Sequence, residues 1–172
     1  MKTCIVFPGQ GAQAIGMGKD LFDAYKKVRE LFEQASDMTK MNLTDLIFSG
    51  TEEDLKQTRN TQVALALVDY SAAVVLHDMG FSCDGTAGFS LGEWPALVEA
   101  GVLSFETMMK LVAERGRLMD EAGKRSGGST MSAVLSLEPE KIEAALQQAG
   151  IHDVWVANYN APNQSVISGT EA

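Results

Sequence analysis

The sequence predicts an α/β fold, with a large domain built on a mostly parallel sheet and a smaller, incomplete second domain. In the first two thirds of the chain, short apolar runs typical of strands alternate with longer segments of helical spacing. The small residues from Ser126 to Ser129 then interrupt this pattern and indicate a hinge or boundary. We therefore place a large domain at residues 1–126 and a small one at residues 127–172.

The first elements are bounded by proline and glycine. Thr3 to Phe7 is typical of a short buried strand, and Pro8 to Gly11 predicts a loop, because proline lacks an N–H donor and glycine tolerates unusual backbone angles. From Asp20 to Met38, apolar residues recur at helical spacing. A second helix, from about Asn60 to Met79, ends before Gly80 and is apolar on nearly every face, which predicts burial inside the domain.

The middle of the chain predicts a strand that leads directly into a helix. Gly85 to Phe89 is the strand, Ser90 follows it, and the helix extends from Leu91 to about Ala100. Ser104 is then a plausible N-cap for another long helix, because its side-chain oxygen can accept from an unpaired amide of the first turn.

The last segment predicts strand, helix, strand and strand, at Met131–Leu137, Glu138–Ala149, Val154–Asn158 and Ser165–Ser168. This order is the first two thirds of a ferredoxin-like β-α-β-β-α-β unit. The sequence ends at Ala172, where the second helix is expected, so we expect the small domain to be incomplete.

Composition restricts the classes of function. The 14 basic and 23 acidic residues give a net charge of −9, which argues against a nucleic-acid partner. Cys4 and Cys83 have no CxxC partner or histidine cluster, so we expect no metal site and a reducing, cytoplasmic location. The first apolar run ends at Pro8, too early for a signal peptide, and Val63 to Leu76 is too short to span a membrane.

One short motif carries chemistry. Gly88-Phe89-Ser90-Leu91-Gly92 is a G-x-S-x-G sequence between a predicted strand and a predicted helix, the context in which this motif forms a nucleophile elbow. The flanking glycines let the chain turn sharply and expose the Ser90 hydroxyl at a helix N-terminus, where backbone amides favour developing negative charge.

Five further segments accompany the elbow in order along the chain: Phe7–Gln13, Thr61–Leu65, Ala96–Gly101, Arg115–Met119 and Asn160–Gln164. Together with the elbow they resemble the malonyl-CoA:acyl-carrier-protein transacylase family over nearly the whole chain. The resemblance implies an α/β-hydrolase-like large subdomain beside the ferredoxin-like one. It also implies malonyl-CoA as substrate, acyl carrier protein as partner and no tightly bound cofactor.

The resemblance implies roles for individual residues. Ser90 would accept the acyl group, and the backbone amides of Gln10 and Leu91 would form the oxyanion hole. Arg115 would bind the malonyl carboxylate, which suits a guanidinium because its planar fork matches a carboxylate and stays charged when partly buried. Gln62 would also contact substrate. Without the resemblance, the sequence favours a surface arginine paired with an acidic neighbour, Glu114 or Glu121; with it, the ligand role is favoured.

The sequence departs from the family pattern at two positions. Phe89 stands where the family usually has histidine, which we expect to change the shape and polarity of the pocket without removing the base. Val63 replaces the usual proline at the start of a helix.

The sequence contains no obvious base for Ser90, since its only histidines are His77 and His152. The resemblance places the catalytic histidine beyond Ala172, in a missing C-terminal portion of the same protein, so we expect the 172-residue chain alone to be inactive. A serine esterase or thioesterase and a non-catalytic CoA- or carrier-binding fragment remain alternatives. The sequence leaves open malonyl against methylmalonyl preference, and fatty acid against polyketide synthesis.

Overall fold

The structure, a computed structural model, describes residues 2–125 and 129–170. It divides into two compact units, Met1–Asp120 and Glu121–Ala172. The hinge predicted at Ser126 to Ser129 falls largely on residues 126–128, which lie outside the described residues.

The elements alternate between helix and strand, which confirms the predicted α/β class. In chain order, the elements are β1 (Cys4–Phe7), α1 (Lys19–Ala24), α2 (Lys26–Thr39), α3 (Leu43–Phe48), α4 (Glu52–Lys56), α5 (Thr58–Asp78), β2 (Gly85–Gly88), a 3₁₀ turn (Ser90–Gly92), α6 (Glu93–Glu99), α7 (Phe105–Arg125), β3 (Ser129–Leu135), α8 (Pro139–Gln148), β4 (Val154–Ala161) and β5 (Gln164–Thr170).

The strands of the first unit bring two loops together. Strands β1 and β2 are parallel and in register, with Phe7 opposite Gly88 at their carboxyl ends. The Phe89 amide continues this pairing by donating to the Phe7 carbonyl at 3.0 Å. Because parallel strands end at the same edge of a sheet, the loop that begins at Pro8 and the turn that contains Ser90 start side by side.

Helix α5 is the centre of the first unit, as its apolar composition predicts. Most of its residues from Thr61 to Leu67 are fully buried, and they pack with α2, α3 and α7 in one hydrophobic core. Trp94 of α6 is half-buried against this core.

The Ser104 hydroxyl accepts from the Thr107 amide at 3.1 Å, so the predicted N-cap of α7 is confirmed. Within the described residues, no helix is both long and apolar enough to cross a membrane.

The structure corrects two predictions for the N-terminal segment and adds two short helices. The helix predicted from Asp20 to Met38 is two helices, because Tyr25 is extended, with φ −118° and ψ 121°. The short helices α3 and α4 were not predicted. Strand β1 is buried on one face only: Phe7 packs beneath α5 and α6, whereas Val6 on the opposite face is 69% exposed.

The second unit has the predicted strand-helix-strand-strand order, folded as one antiparallel sheet with strand order β3-β5-β4. Helix α8 packs on one face of this sheet, where Ser165 is fully buried and Tyr159 donates to Glu143 of the helix at 2.7 Å. Met131 and Trp155 both lie opposite Ser168, so they share one face, and their side chains are 58% and 63% exposed.

Candidate active site

The segment around Ser90 forms a sharp strand-to-helix elbow. Ser90 has a left-handed backbone with φ +51°, an arrangement that costs a non-glycine residue about 1–2 kcal/mol. A Cβ atom on Gly88 would lie 2.1 Å from the Gly92 carbonyl carbon, and one on Gly92 would lie 2.3 Å from the Phe7 oxygen. Gly88 is therefore needed for the elbow to fold back on itself, and Gly92 for the elbow to lie against the end of β1, as the motif predicts.

The elbow leaves the Ser90 side chain exposed at the start of a helical turn. The first amides of such a turn have no partner inside the helix, and the Leu91 amide is one of them. The dipoles of the 3₁₀ turn and α6 point their positive ends toward this position. The elbow thus combines a hydroxyl with backbone amides that can donate hydrogen bonds to the oxygen of a reacting carbonyl as it becomes negative.

The loop after β1 lies against the elbow. A Cβ atom on Gly9 would be only 2.6 Å from the Phe89 oxygen, so glycine permits the two backbones to approach closely. The next residue is Gln10, whose amide takes part in none of the backbone hydrogen bonds found across residues 2–125. The Gln10 amide is therefore without a backbone partner there, in the loop that lies against the elbow.

Arg115 of α7 is half-buried and points toward the elbow. Its Nη2 donates to the Ser90 Oγ at 3.2 Å, and its Nη1 donates to the Gln62 Oε1. Burial lowers the pKa of this guanidinium, and the nearby Glu93 carboxylate opposes that shift. Because arginine keeps its proton even when partly buried, the site contains a fixed positive charge beside the hydroxyl.

The acidic neighbours of Arg115 have other partners. Glu114 pairs with Arg117 at 2.6 Å, and Glu121 pairs with Arg125 at 3.5 Å. The structure therefore favours a site residue over a surface ion pair for Arg115.

Gln62 is 1% exposed and connects Arg115 to the loop after β1. Its Nε2 donates to the Gln10 Oε1 at 3.0 Å, and the Gln10 Nε2 donates in turn to the Thr58 hydroxyl at 3.5 Å. The structure thus brings together all the residues that the sequence analysis placed in the site. The sequence analysis missed Thr58 and assigned no role to Glu93, and no local pattern marks either as a site residue.

Neither histidine is found hydrogen-bonded to Ser90 in the described part of the chain, as a base would be. The His77 Nε2 is bonded to the Glu99 Oε1 at 2.7 Å, and His152 lines a cavity of the second unit with Ile151 and Trp155. In the described ranges, Arg115 is the one side chain found hydrogen-bonded to the Ser90 hydroxyl, and it is a donor. Across the same ranges, no three potential ligands gather as a metal site would require.

Residues 4–172 match the acyl transferase domain family, and the chain belongs to that family. Within it, the chain is similar to malonyl CoA-acyl carrier protein transacylases. The protein of this name from Bacillus subtilis is 39% identical over 171 residues, which cover 98% of this chain and 54% of that protein. The chain thus spans about half the length of the curated relatives that it matches.

Solved structures show the same relationship. The malonyl CoA-acyl carrier protein transacylase of Coxiella burnetii superimposes with a TM-score of 0.91 at 39% identity, covering 98% of this chain and 54% of that one. A malonyl-transacylase solved in complex with a type II PKS acyl-carrier protein gives a TM-score of 0.89 at 38% identity. The match covers 98% of this chain and 55% of that one.

Proposed function

We propose that the whole protein transfers a malonyl group from malonyl-CoA to the thiol of an acyl carrier protein through an acyl-enzyme on Ser90. The names of the relatives support this reaction. One similar malonyl-transacylase was solved in complex with a type II PKS acyl-carrier protein. The observation that carries the proposal is the position of Arg115, whose Nη2 lies 3.2 Å from the Ser90 Oγ. An esterase needs no fixed cation at that place, whereas an acyl group that ends in a carboxylate does.

The first half of the reaction forms the acyl-enzyme. The Ser90 Oγ attacks the thioester carbonyl carbon, its proton passes to a base, and the carbonyl oxygen becomes an oxyanion. We assign the binding of the oxyanion to the Gln10 and Leu91 amides, and the start of their two loops at the same sheet edge supports this assignment. The intermediate collapses by breaking the C–S bond, and the CoA thiolate leaves and takes up a proton.

The second half repeats these steps in reverse with another thiol. The carrier's thiol loses its proton to the base and attacks the ester carbonyl, and the Ser90–acyl bond breaks as the proton returns to Oγ. We assign the base to a histidine of the whole protein outside residues 1–172, as the resemblance implies. The chemistry requires no tightly bound cofactor, because the thioester supplies the activated acyl group.

Arg115 gives the reaction its acyl preference. The malonyl carboxylate, two bonds from the reacting carbonyl carbon, needs a cation close to Ser90 when the ester forms. A half-buried guanidinium fulfils this role well, since a charge-assisted pair is stronger away from bulk water.

Mass spectrometry of the full-length protein tests the proposal. After incubation with malonyl-CoA, the peptide that contains Ser90 should increase in mass by one malonyl group, and Ser90→Ala should abolish both the adduct and transfer to carrier protein. Addition of carrier protein should discharge the ester to the carrier thiol. An adduct on another residue would contradict the assignment of the nucleophile, and release of free malonate in place of carrier loading would identify a hydrolase.

A further inference from the structure

Gln62 lies between the two groups that would bind opposite ends of the acyl group. It accepts a hydrogen bond from Arg115, which would bind the carboxylate, and donates at 3.0 Å to Gln10, whose loop would bind the oxyanion. The inference that follows rests on the proposed function.

The direction of these hydrogen bonds is fixed by chemistry. A guanidinium can only donate, so the Gln62 oxygen must face Arg115 and its NH₂ group must face away. That NH₂ group requires an acceptor, which fixes the Gln10 side-chain oxygen toward Gln62 and the Gln10 NH₂ toward Thr58. Reversing the Gln62 amide would break the bonds on both of its sides, and reversing the Gln10 amide would set two NH₂ groups against each other, so the Gln62 and Gln10 amides have a single arrangement.

Packing prevents Gln62 from moving aside. The side chain is 1% exposed, so bulk water does not readily replace a lost partner, and an unpaired buried amide is costly. Opposite Gln62, helix α7 has Gly116, where an added Cβ atom would lie 3.3 Å from the Gln62 Cβ and 2.8 Å from the Arg59 Cα. Helices α5 and α7 therefore touch directly beside Arg115.

We propose that Gln62 is a positioning residue for acyl selectivity, which holds the Arg115 guanidinium at the place where a carboxylate attached to the Ser90 acyl group must bind. It acts through Arg115, and the Gln10 side chain holds the Gln62 amide in the required orientation. Loss of Gln62 should therefore harm the reaction of carboxylate-bearing acyl groups and largely spare acyl groups without one.

Rates of Ser90 acylation by malonyl-CoA and acetyl-CoA in the full-length protein test this role. Gln62→Leu keeps the approximate volume and removes both hydrogen bonds. We expect the malonyl rate to fall about 10- to 100-fold, as for the loss of one hydrogen bond to a charged group, with the acetyl rate changed less than about threefold. Gln62→Glu should also lower malonyl selectivity, because its carboxylate would neutralise Arg115 and compete with the substrate.

Two further variants separate positioning from general stability. In an Arg115→Ala background, Gln62→Leu should not change the malonyl-to-acetyl ratio further, because the group that it positions is absent. Ser71→Ala is the matched control: Ser71 is also a buried polar residue of α5, but it donates within the helix to the Leu67 carbonyl at 2.7 Å. This control should leave the ratio unchanged.

Equal losses for both acyl groups in the Leu and Glu variants would overturn the inference and leave a structural role for Gln62. A change in the ratio that persists in full without Arg115 would also overturn it. If the unmodified protein forms no malonyl adduct on Ser90, the proposed function fails first and the inference fails with it, so the two failures are distinguishable.

Discussion

Arg115 and Arg117 stand two residues apart on α7 and have different surroundings. Arg115 is half-buried and donates to Ser90, whereas Arg117 is exposed and pairs with Glu114. We expect Arg115→Ala to lower malonyl transfer by about 100-fold or more, because a charge-assisted pair with the substrate is lost. Acetyl transfer should change little, and steady-state assays with both acyl-CoA substrates would measure the difference.

Arg117→Ala is the control for this experiment, since it removes the same charge from the same helix. It should leave the ratio of malonyl to acetyl transfer unchanged. Equal loss of both activities in Arg115→Ala would instead point to a role in folding.

Asp69 is a buried carboxylic acid of α5 with an unpartnered oxygen. Burial raises its pKa to about 7. Between about pH 4 and pH 7 the folded chain keeps a proton that the unfolded chain loses, so this group makes stability fall as pH rises. The full penalty, up to about 4 kcal/mol, is present above pH 7.

Asp69→Asn should therefore stabilise the protein at pH 8 and change its stability much less at pH 4. Urea unfolding of both proteins across this range measures the effect. Parallel stability curves for the two proteins would show that Asp69 ionises freely in the folded state.

At the scale of elements, the contact between α5 and α7 depends on a glycine. Gly116→Ala would place a methyl group 2.8 Å from the Arg59 Cα, and such overpacking costs about 1–3 kcal/mol. Because α7 includes Arg115, the same shift should also lower malonyl acylation of Ser90. Gly123→Ala is the control in the same helix, since nothing lies within 4 Å of its added Cβ. It should raise helix stability by about 0.5–1 kcal/mol.

Thermal unfolding and Ser90 acylation of the two alanine variants test this prediction. If Gly116→Ala were as stable and as active as Gly123→Ala, the close packing of α5 on α7 would be refuted.

The elements that the sequence predicts well are those with strong local signals. Helix α5 has a long apolar run, and the elbow has two glycines around Ser90 in a strand-to-helix context. Tyr25, where one predicted helix becomes two, has no breaking residue beside it, and the Arg29 side chain donates to the Phe22 and Asp23 carbonyls at this break. Helices α3 and α4 are too short for periodicity, although Asn42 and Thr51 cap them by accepting from amides at 3.2 and 3.0 Å.

The sequence indicates candidate residues for the site but not the hydrogen bonds that connect them. The resemblance points to Ser90, Gln10 and Arg115 one by one, because each belongs to its own short motif. The link through Gln62 joins positions 52 and 53 residues apart in sequence, and no local pattern encodes such contacts. The hydrogen bond between Gln62 and Arg115 forms only when α5 and α7 pack together.

At the scale of the whole molecule, no base is found hydrogen-bonded to Ser90 within residues 2–125 and 129–170, which leads to a prediction about the isolated polypeptide of residues 1–172. We expect it to transfer malonyl groups at less than about 1% of the full-length rate, because general-base assistance contributes about 10²- to 10⁴-fold. Transfer assays on the two proteins side by side measure this. If the polypeptide were fully active and His77→Ala or His152→Ala removed that activity, that histidine would be the base.

The two compact units each contain one of the chain's two tryptophans. Trp94 is half-buried in the core of the first unit, whereas Trp155 is 63% exposed on the sheet of the second. Indole fluorescence shifts to longer wavelength in contact with water, so the two residues emit in different parts of the spectrum. Replacing either with phenylalanine would leave a single intrinsic fluorophore, and each unit's melting could then be followed optically without any added dye.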